Sequence, residues 1–299
     1  MAKGYQTQEL KEKLVEVLAD SKTGLSGIEI SEKLGVNRVT MTKYLNIFAT
    51  EGMIRQKNIG NVNLWFIEEG IEQFEFPNDY FDVKNKFLEL LSAREEQKAY
   101  SLIRNCIHSN ANISKLMTEV IIPATESVQK LWEKGKITKS EEKLNGTIIS
   151  NSIQILNQIT SEIDPRKNVI IISSDSKSTQ TAEAASASFH SEGWNVSLLG
   201  DMSDSIDVLF DLDIQKFLEK VWTKKNGVMI IVIFSESDEG LKFFSESINS
   251  IKGKVGKNLS LILCSKSKEI TTAKADLITD NLENVIQWSQ TTFESTISK

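Results

Sequence analysis

Apolar runs without polar alternation recur through the last part of the chain: Val169–Ile172, Val196–Leu199, Val228–Phe234 and Leu259–Cys264, with a weaker one at Ala275–Thr279. A strand that alternates apolar and polar residues has one wet face, whereas a run in which apolar residues follow one another fits a strand covered on both. Helical patterns, Ser178–Ser191 and Asp207–Thr223, stand between the runs. Strand and helix in alternation predict a parallel sheet between helical layers, a flavodoxin-like or Rossmann-like α/β domain. Ligands in such sheets sit at the carboxyl ends of the strands, here near Ser173–Ser178 and Ser235–Gly240.

The rest of the chain has a different period. Pro77 and Pro165 lie where the apolar spacing changes, and proline restricts both itself and its predecessor, so both mark breaks between packed units. Between them Phe87, Leu90 and Leu91, then Leu102, Ile103, Cys106 and Ile107, then Ile113–Ile121, then Ile148–Ile159 repeat at helical spacing. Four amphipathic helices predict an antiparallel bundle. The expected organisation is multidomain, α + α/β: residues 1–75, a helical bundle over 76–164, and an α/β domain over 165–299.

Leu10, Leu14, Val17 and Leu18 mark a first helix, and Ser26 with Glu29 forms a capping box for a second that ends at Gly35. Asn37 caps a third, with Met41, Leu45 and Phe48 on one face, stopping at Glu51-Gly52. Strands Met53–Lys57 and Val62–Ile67 flank the turn Asn58-Ile59-Gly60-Asn61. Helix, helix–turn–helix and hairpin follow one another as in a winged helix-turn-helix. Asn37, Arg38, Thr40, Thr42 and Lys43 then face outward, and Arg55, Lys57 and Asn58 form a basic wing. Arginine suits guanine and asparagine suits adenine, while threonine and lysine hold phosphates. Leu34–Leu45 followed by Glu51-Gly52-Met53-Ile54 resembles the winged-helix regulators of archaea and bacteria, which implies binding to double-stranded DNA as a homo-oligomer, a dimer or higher.

Composition narrows the chemistry. The chain of 299 residues has 35 Lys+Arg against 41 Asp+Glu, a net charge of −6, so any nucleic-acid surface must be local. Cys106 and Cys264 lie far apart, as do His108 and His190, which argues against a disulfide framework or a structural zinc site. No apolar run is long enough to span a bilayer, and the start lacks a signal-peptide pattern, so a cytoplasmic location without membrane contact is expected. The serine-rich loops lack a nearby histidine, and no catalytic constellation is visible, so the chain reads as a non-enzyme.

Leu131-Trp132-Glu133-Lys134-Gly135-Lys136-Ile137-Thr138 and the later Glu142-Lys143 resemble the helical cap of cobalamin-binding modules, as in methionine synthase and the light-responsive adenosylcobalamin-dependent repressors. Trp132 and Glu142 keep the family spacing, but Lys143 replaces the histidine above the corrin. In the α/β domain of that family an Asp-x-His-x-x-Gly loop supplies the histidine that ligates cobalt from below. Here Ser173–Gln180 matches at Asp175, with Lys177 in the histidine's place and Gln180 in the glycine's. Ser235-Glu236-Ser237 echoes the family's Ser-x-Leu, and Lys266-Ser267 stands near its late Gly-Gly. An ammonium has no lone pair to give cobalt. Corrinoid methyl transfer is therefore not expected, and cobalamin remains open as a cofactor only without the usual histidine ligation. The ligand candidates are Trp132, Glu142, Lys143, Asp175, Lys177 and Ser178. For the last two, at the start of a helix, anion binding and an ordinary solvated turn are both open. The sequence thus reads as a transcriptional regulator with a cobalamin-module-like sensor half. A small-molecule effector and a pure assembly role are both open for that half.

Overall fold

The computed structural model describes residues 7–19, 21, 24–51, 53–60, 62–67, 74–159, 161–206, 209–222, 227–256, 258–266 and 274–297. Gly52, Asn61, Asp207, Thr223 and Ser267, named above, lie outside the described residues. Two compact units result: residues 1–74 with 104–109, and residues 75–103 with 110–299. The expected α/β domain falls within the second, and so does the expected bundle apart from residues 104–109, with Cys106 and Ile107, which belong to the first.

In the first unit, helix α1 (Thr7–Ala19) precedes a two-residue strand β1 (Leu25–Ser26), helices α2 (Gly27–Leu34) and α3 (Arg38–Thr50), and a hairpin of β2 (Arg55–Ile59) and β3 (Val62–Phe66). Ser26 accepts the Glu29 N–H and its own N–H reaches the Glu29 carboxylate at 2.7 Å, so the capping box forms. Gly35 ends α2 at φ 63°, the left-handed conformation that a side chain disfavours. Leu14, Leu18, Ile30, Met41, Leu45 and Phe48 are buried together, as the helical spacing requires. Two details differ from the expectation. Met53 and Ile54 are not in the hairpin but buried in that core, and the strand starts at Arg55. β1 pairs antiparallel with β3, Leu25 opposite Trp65, making a three-stranded sheet in the order β1-β3-β2. A two-residue strand carries no periodicity of its own, so its sequence is silent about it.

The second unit begins with α4 (Tyr80–Ala93) and the first part of α5 (Glu96–His108), whose residues 104–108 belong to the first unit, and continues with α6 (Ile113–Leu116), α7 (Ile122–Glu133) and α8 (Lys139–Asn157). A π-helical turn, Met117–Ile121, joins α6 to α7. Alternating strands and helices follow: β4 (Lys167–Ser173), α9 (Thr179–Ser191), β5 (Asn195–Asp201), α10 (Phe210–Val221), β6 (Val228–Phe234), α11 (Asp238–Val255), β7 (Leu259–Cys264), β8 (Leu277–Thr279) and α12 (Leu282–Ile297). The five strands are all parallel, in the order β5-β4-β6-β7-β8. This is the Rossmann-like parallel sheet that the unalternated runs require. Every residue of β6 is buried. Ile231 and Ile233 pack with Phe244 and Ile248 of α11 and Phe210 and Ile214 of α10. Their neighbours Ile230 and Val232, also buried, point to the opposite face. Each such aliphatic side chain contributes roughly 1.5–3 kcal/mol on burial. No helix among the described residues is long and apolar enough to cross a membrane.

The strand order sets where a ligand can approach. Connections leave β4 toward one edge and β6 toward the other, so the order in which the strands are added reverses between these two parallel neighbours. Their carboxyl ends form the crevice in which open α/β sheets hold ligands.

Candidate functional sites

One candidate lies in the first unit. α3 turns its apolar side inward, and Arg38, Val39, Thr42, Lys43 and Asn46 are exposed along the opposite side, while Thr40 is half-buried. The helix holds no acidic residue. Asn37, as N-cap, accepts the Val39 N–H on Oδ1 at 2.9 Å, so its oxygen is directed to the helix end. The Thr42 hydroxyl donates back to the Arg38 carbonyl at 2.9 Å. Arg55, Lys57 and Asn58 are exposed on β2, where Asn58 accepts from the Gln56 amide at 3.0 Å. The face therefore offers a guanidinium and an ammonium on the helix and another of each on the hairpin. Its Asn37 and Thr42 oxygens are engaged locally.

The second candidate is the crevice between β4 and β6, and here the polar residues turn inward. Asp175 follows β4, and its Oδ1 accepts the N–H groups of Lys177 at 3.1 Å and Ser178 at 3.0 Å. Its Oδ2 accepts the N–H groups of Glu236 at 2.7 Å and Ser237 at 3.2 Å, across the crevice. The hydroxyls of Ser174 and Ser235 stand 3.2 Å from the same oxygen, and Ser178 Oγ lies 3.0 Å from the Phe234 carbonyl. Burial tends to raise the Asp175 pKa, but the hydrogen bonds from Glu236, Ser178 and Ser235 prevail and hold it below the ordinary carboxylate value. A side chain at Gly240 would put its Cβ 2.9 Å from Ser174 Oγ, so only glycine allows α11 to start this close. The carboxylate thus fills the turn ahead of α9 with a negative charge and ties the two loops together.

Beside this stitched crevice lies a cavity of about 340 Å³ over the ends of β6, β7 and β8. Thr118 of the π turn and Ile122 and Glu126 of α7 form one wall; Lys177 and Ser178, Ser235 and Glu236, Cys264 and Lys266, and Asp280 form the other. Lys266 is ion-paired with Glu126, which also stands 3.8 Å from Lys130. Burial, with Asp280 beside it, pushes the Cys264 thiol up to about 12, so it faces the cavity protonated. No cluster of three or more metal-ligating side chains occurs among the described residues.

The remaining ligand candidates lie elsewhere. Lys139 sits over the Trp132 ring at 3.9 Å and pairs with Glu142 at 2.9 Å, which joins Trp132 and Glu142 through a third residue. Lys143 is exposed on α8. None of Trp132, Glu142, Lys143 and Asp175 lines the cavity; Lys177 and Ser178 do. Gln180, in the glycine's place, donates to the Gly146 carbonyl at 2.8 Å and so packs α9 on α8. Sequence reasoning missed Glu126, Asp280 and the role of Lys266. The one local signal was Pro123, which has no N–H to donate, in the first turn of α7 next to the π turn.

No protein-family model matches the chain, and no curated protein sequence matches it. Solved structures do. The monomethylamine corrinoid protein of Methanosarcina barkeri superposes with a TM-score of 0.53 at 12% identity, over 72% of this chain and 98% of its own. The methanol:cobalamin methyltransferase complex MtaBC of the same organism gives 0.34 at 11%, over 86% and 93%. Human N-acetylserotonin methyltransferase gives 0.24 at 8%, over 96% and 86%. The first likeness is one of fold; the other two scores are too low to bear on it.

Proposed function

We propose that the chain is a DNA-binding transcriptional regulator in which a winged helix-turn-helix is joined to a sensor half built on a corrinoid-protein fold. The observation that carries the reading is the outer side of α3, where Arg38 and Lys43 are exposed on a helix without acidic residues, in a unit whose hairpin exposes Arg55 and Lys57. In the helix–turn–helix arrangement the start of this helix enters the major groove and the wing lies along the backbone. A single reading helix covers a short site, so the protein acts as a homodimer on a two-fold symmetric one. Ligand-dependent packing of the sensor halves then sets the spacing of the two reading helices. The reading makes the chain a non-enzyme.

The test is enrichment from a random-sequence duplex pool by the full-length protein. A recurrent motif, bound more weakly as salt rises, supports the reading. Enrichment no better than that of an Arg38→Ala, Lys43→Ala double variant sinks it.

The residues at the sheet edge do not fit a histidine-ligated corrinoid. Lys177 is exposed where that family carries its lower ligand, Asp175 is engaged by protein donors, and Gln180 is bonded to Gly146. The sensor half therefore responds to a smaller molecule in the 340 Å³ cavity, which lies near the low end of the roughly 300–1,000 Å³ usual for small-molecule sites. Desalting the protein after incubation with hydroxocobalamin tests this, and no corrinoid absorbance is expected to remain. Retained absorbance would restore a corrinoid sensor or carrier as the reading of the second unit.

A further inference from the structure

The outer side of α3 carries more than positive charge. Of its polar side chains, Asn37 is engaged in capping, Thr42 is bonded to a backbone carbonyl, and Thr40 is half-buried. The side chains left to reach outward from the first two turns are Arg38, Val39 and Lys43. Val39 is 79% exposed, more than any other large apolar side chain among the described residues. It adds nothing to the core at that exposure, and a β-branched residue is a mediocre helix former. Single exposed apolar residues are common on protein surfaces, so exposure alone assigns nothing. The position is what distinguishes this one. Val39 stands beside Arg38 and one turn before Lys43, in the turn that a helix–turn–helix inserts into the major groove.

The floor of that groove presents hydrogen-bonding groups and one apolar group, the thymine 5-methyl. We infer that Val39 reads a thymine methyl, next to a guanine that Arg38 holds through O6 and N7, while Lys43 contacts a phosphate. This rests on the DNA-binding reading above. Successive helix residues point about 100° apart, so Arg38 and Val39 address neighbouring base pairs and not the same one. The step they recognise is a guanine adjacent to a thymine.

Deoxyuridine differs from thymidine by that methyl alone, which gives a direct test. In the duplex enriched by the full-length protein, each thymine is replaced in turn by deoxyuridine. One replacement, beside a guanine, is expected to weaken wild-type binding about fourfold, the effect of one buried methyl. Val39→Ala is expected to bind the two duplexes equally, and Val39→Ile to keep the preference, all three proteins having the same melting temperature. If no single replacement weakens wild-type binding, or if Val39→Ala shows the same loss, the inference is overturned while DNA binding stands. If no duplex is enriched at all, the DNA-binding reading fails and this one with it.

Discussion

Two helices of this molecule begin after a polar turn, and they use it in opposite ways. α3 is capped by Asn37, one residue back, and its first turns expose Arg38, Val39 and Lys43. α9 follows Asp175, whose carboxylate accepts the Lys177 and Ser178 N–H groups just ahead of the helix and two N–H groups from the loop after β6. Both segments carry small polar residues and a lysine near a helix start, Asn37, Thr40, Thr42 and Lys43 in the one and Ser173–Thr179 in the other. In the first the polar groups end at the surface with capacity left over; in the second they satisfy one another. Residue type at a helix start therefore says little about binding until the donors and acceptors have been matched. By that standard the start of α3 leaves more polar side chains facing outward than the crevice between β4 and β6 does.

The contrast breaks most visibly at Asp175. Asp175→Ala leaves several buried donors without an acceptor, and is expected to cost the second unit about 3 kcal/mol, measured by urea denaturation. Slowed-exchange amides of β4 and β6 should lose protection while those of α3 do not. An unchanged midpoint would mean that the crevice is open in solution. Arg38→Ala should leave stability unchanged and lower affinity for the enriched duplex by about 2 kcal/mol, roughly thirtyfold, in a gel-shift titration. A smaller effect separates the two helix starts by pH. The Asp175 pKa is lowered by folding, so its stabilisation is complete above about pH 4 and is lost as the pH falls through the folded value. Wild type should thus lose stability below pH 4 more steeply than Asp175→Asn, whereas Asn37→Ala should leave that slope unaltered. Least of all, Lys177→Ala, on an exposed side chain, should change stability by no more than about 0.5 kcal/mol.

Much of the scaffold was legible because its causes are local. The unalternated run Val228–Phe234 has no stable place except the middle of a sheet, and Ser26 with Glu29 makes a cap whatever surrounds it. The cavity was not legible in that way. Lys143 and Lys177 suggest two cations facing one ligand, yet which way a residue of α8 points depends on the rotation of that helix against α7 and α9. Lys143 came out exposed, and Lys266, past the end of β7, took a place in the cavity wall. The same holds for Asp175. Its loop mates, Glu236 and Ser237, lie far along the chain and meet it because β4 and β6 are neighbours, an order that individual strand patterns do not encode.

The π turn at Met117–Ile121 has a consequence for how this chain can vary. A π turn is an α-helix with one residue added, and each helical residue advances the side-chain direction by about 100°. The stretch from α6 to α7 is in effect two rods joined out of phase. Substitution within 117–121 can soften the joint, but it cannot re-time the second rod. Removing a single residue would, and it would swing Ile122 and Glu126 off the cavity wall together. The shape of that wall thus depends on the length of the chain before it, and homologues that differ here by one residue should differ in the shape of this cavity even where every side chain of the wall is the same.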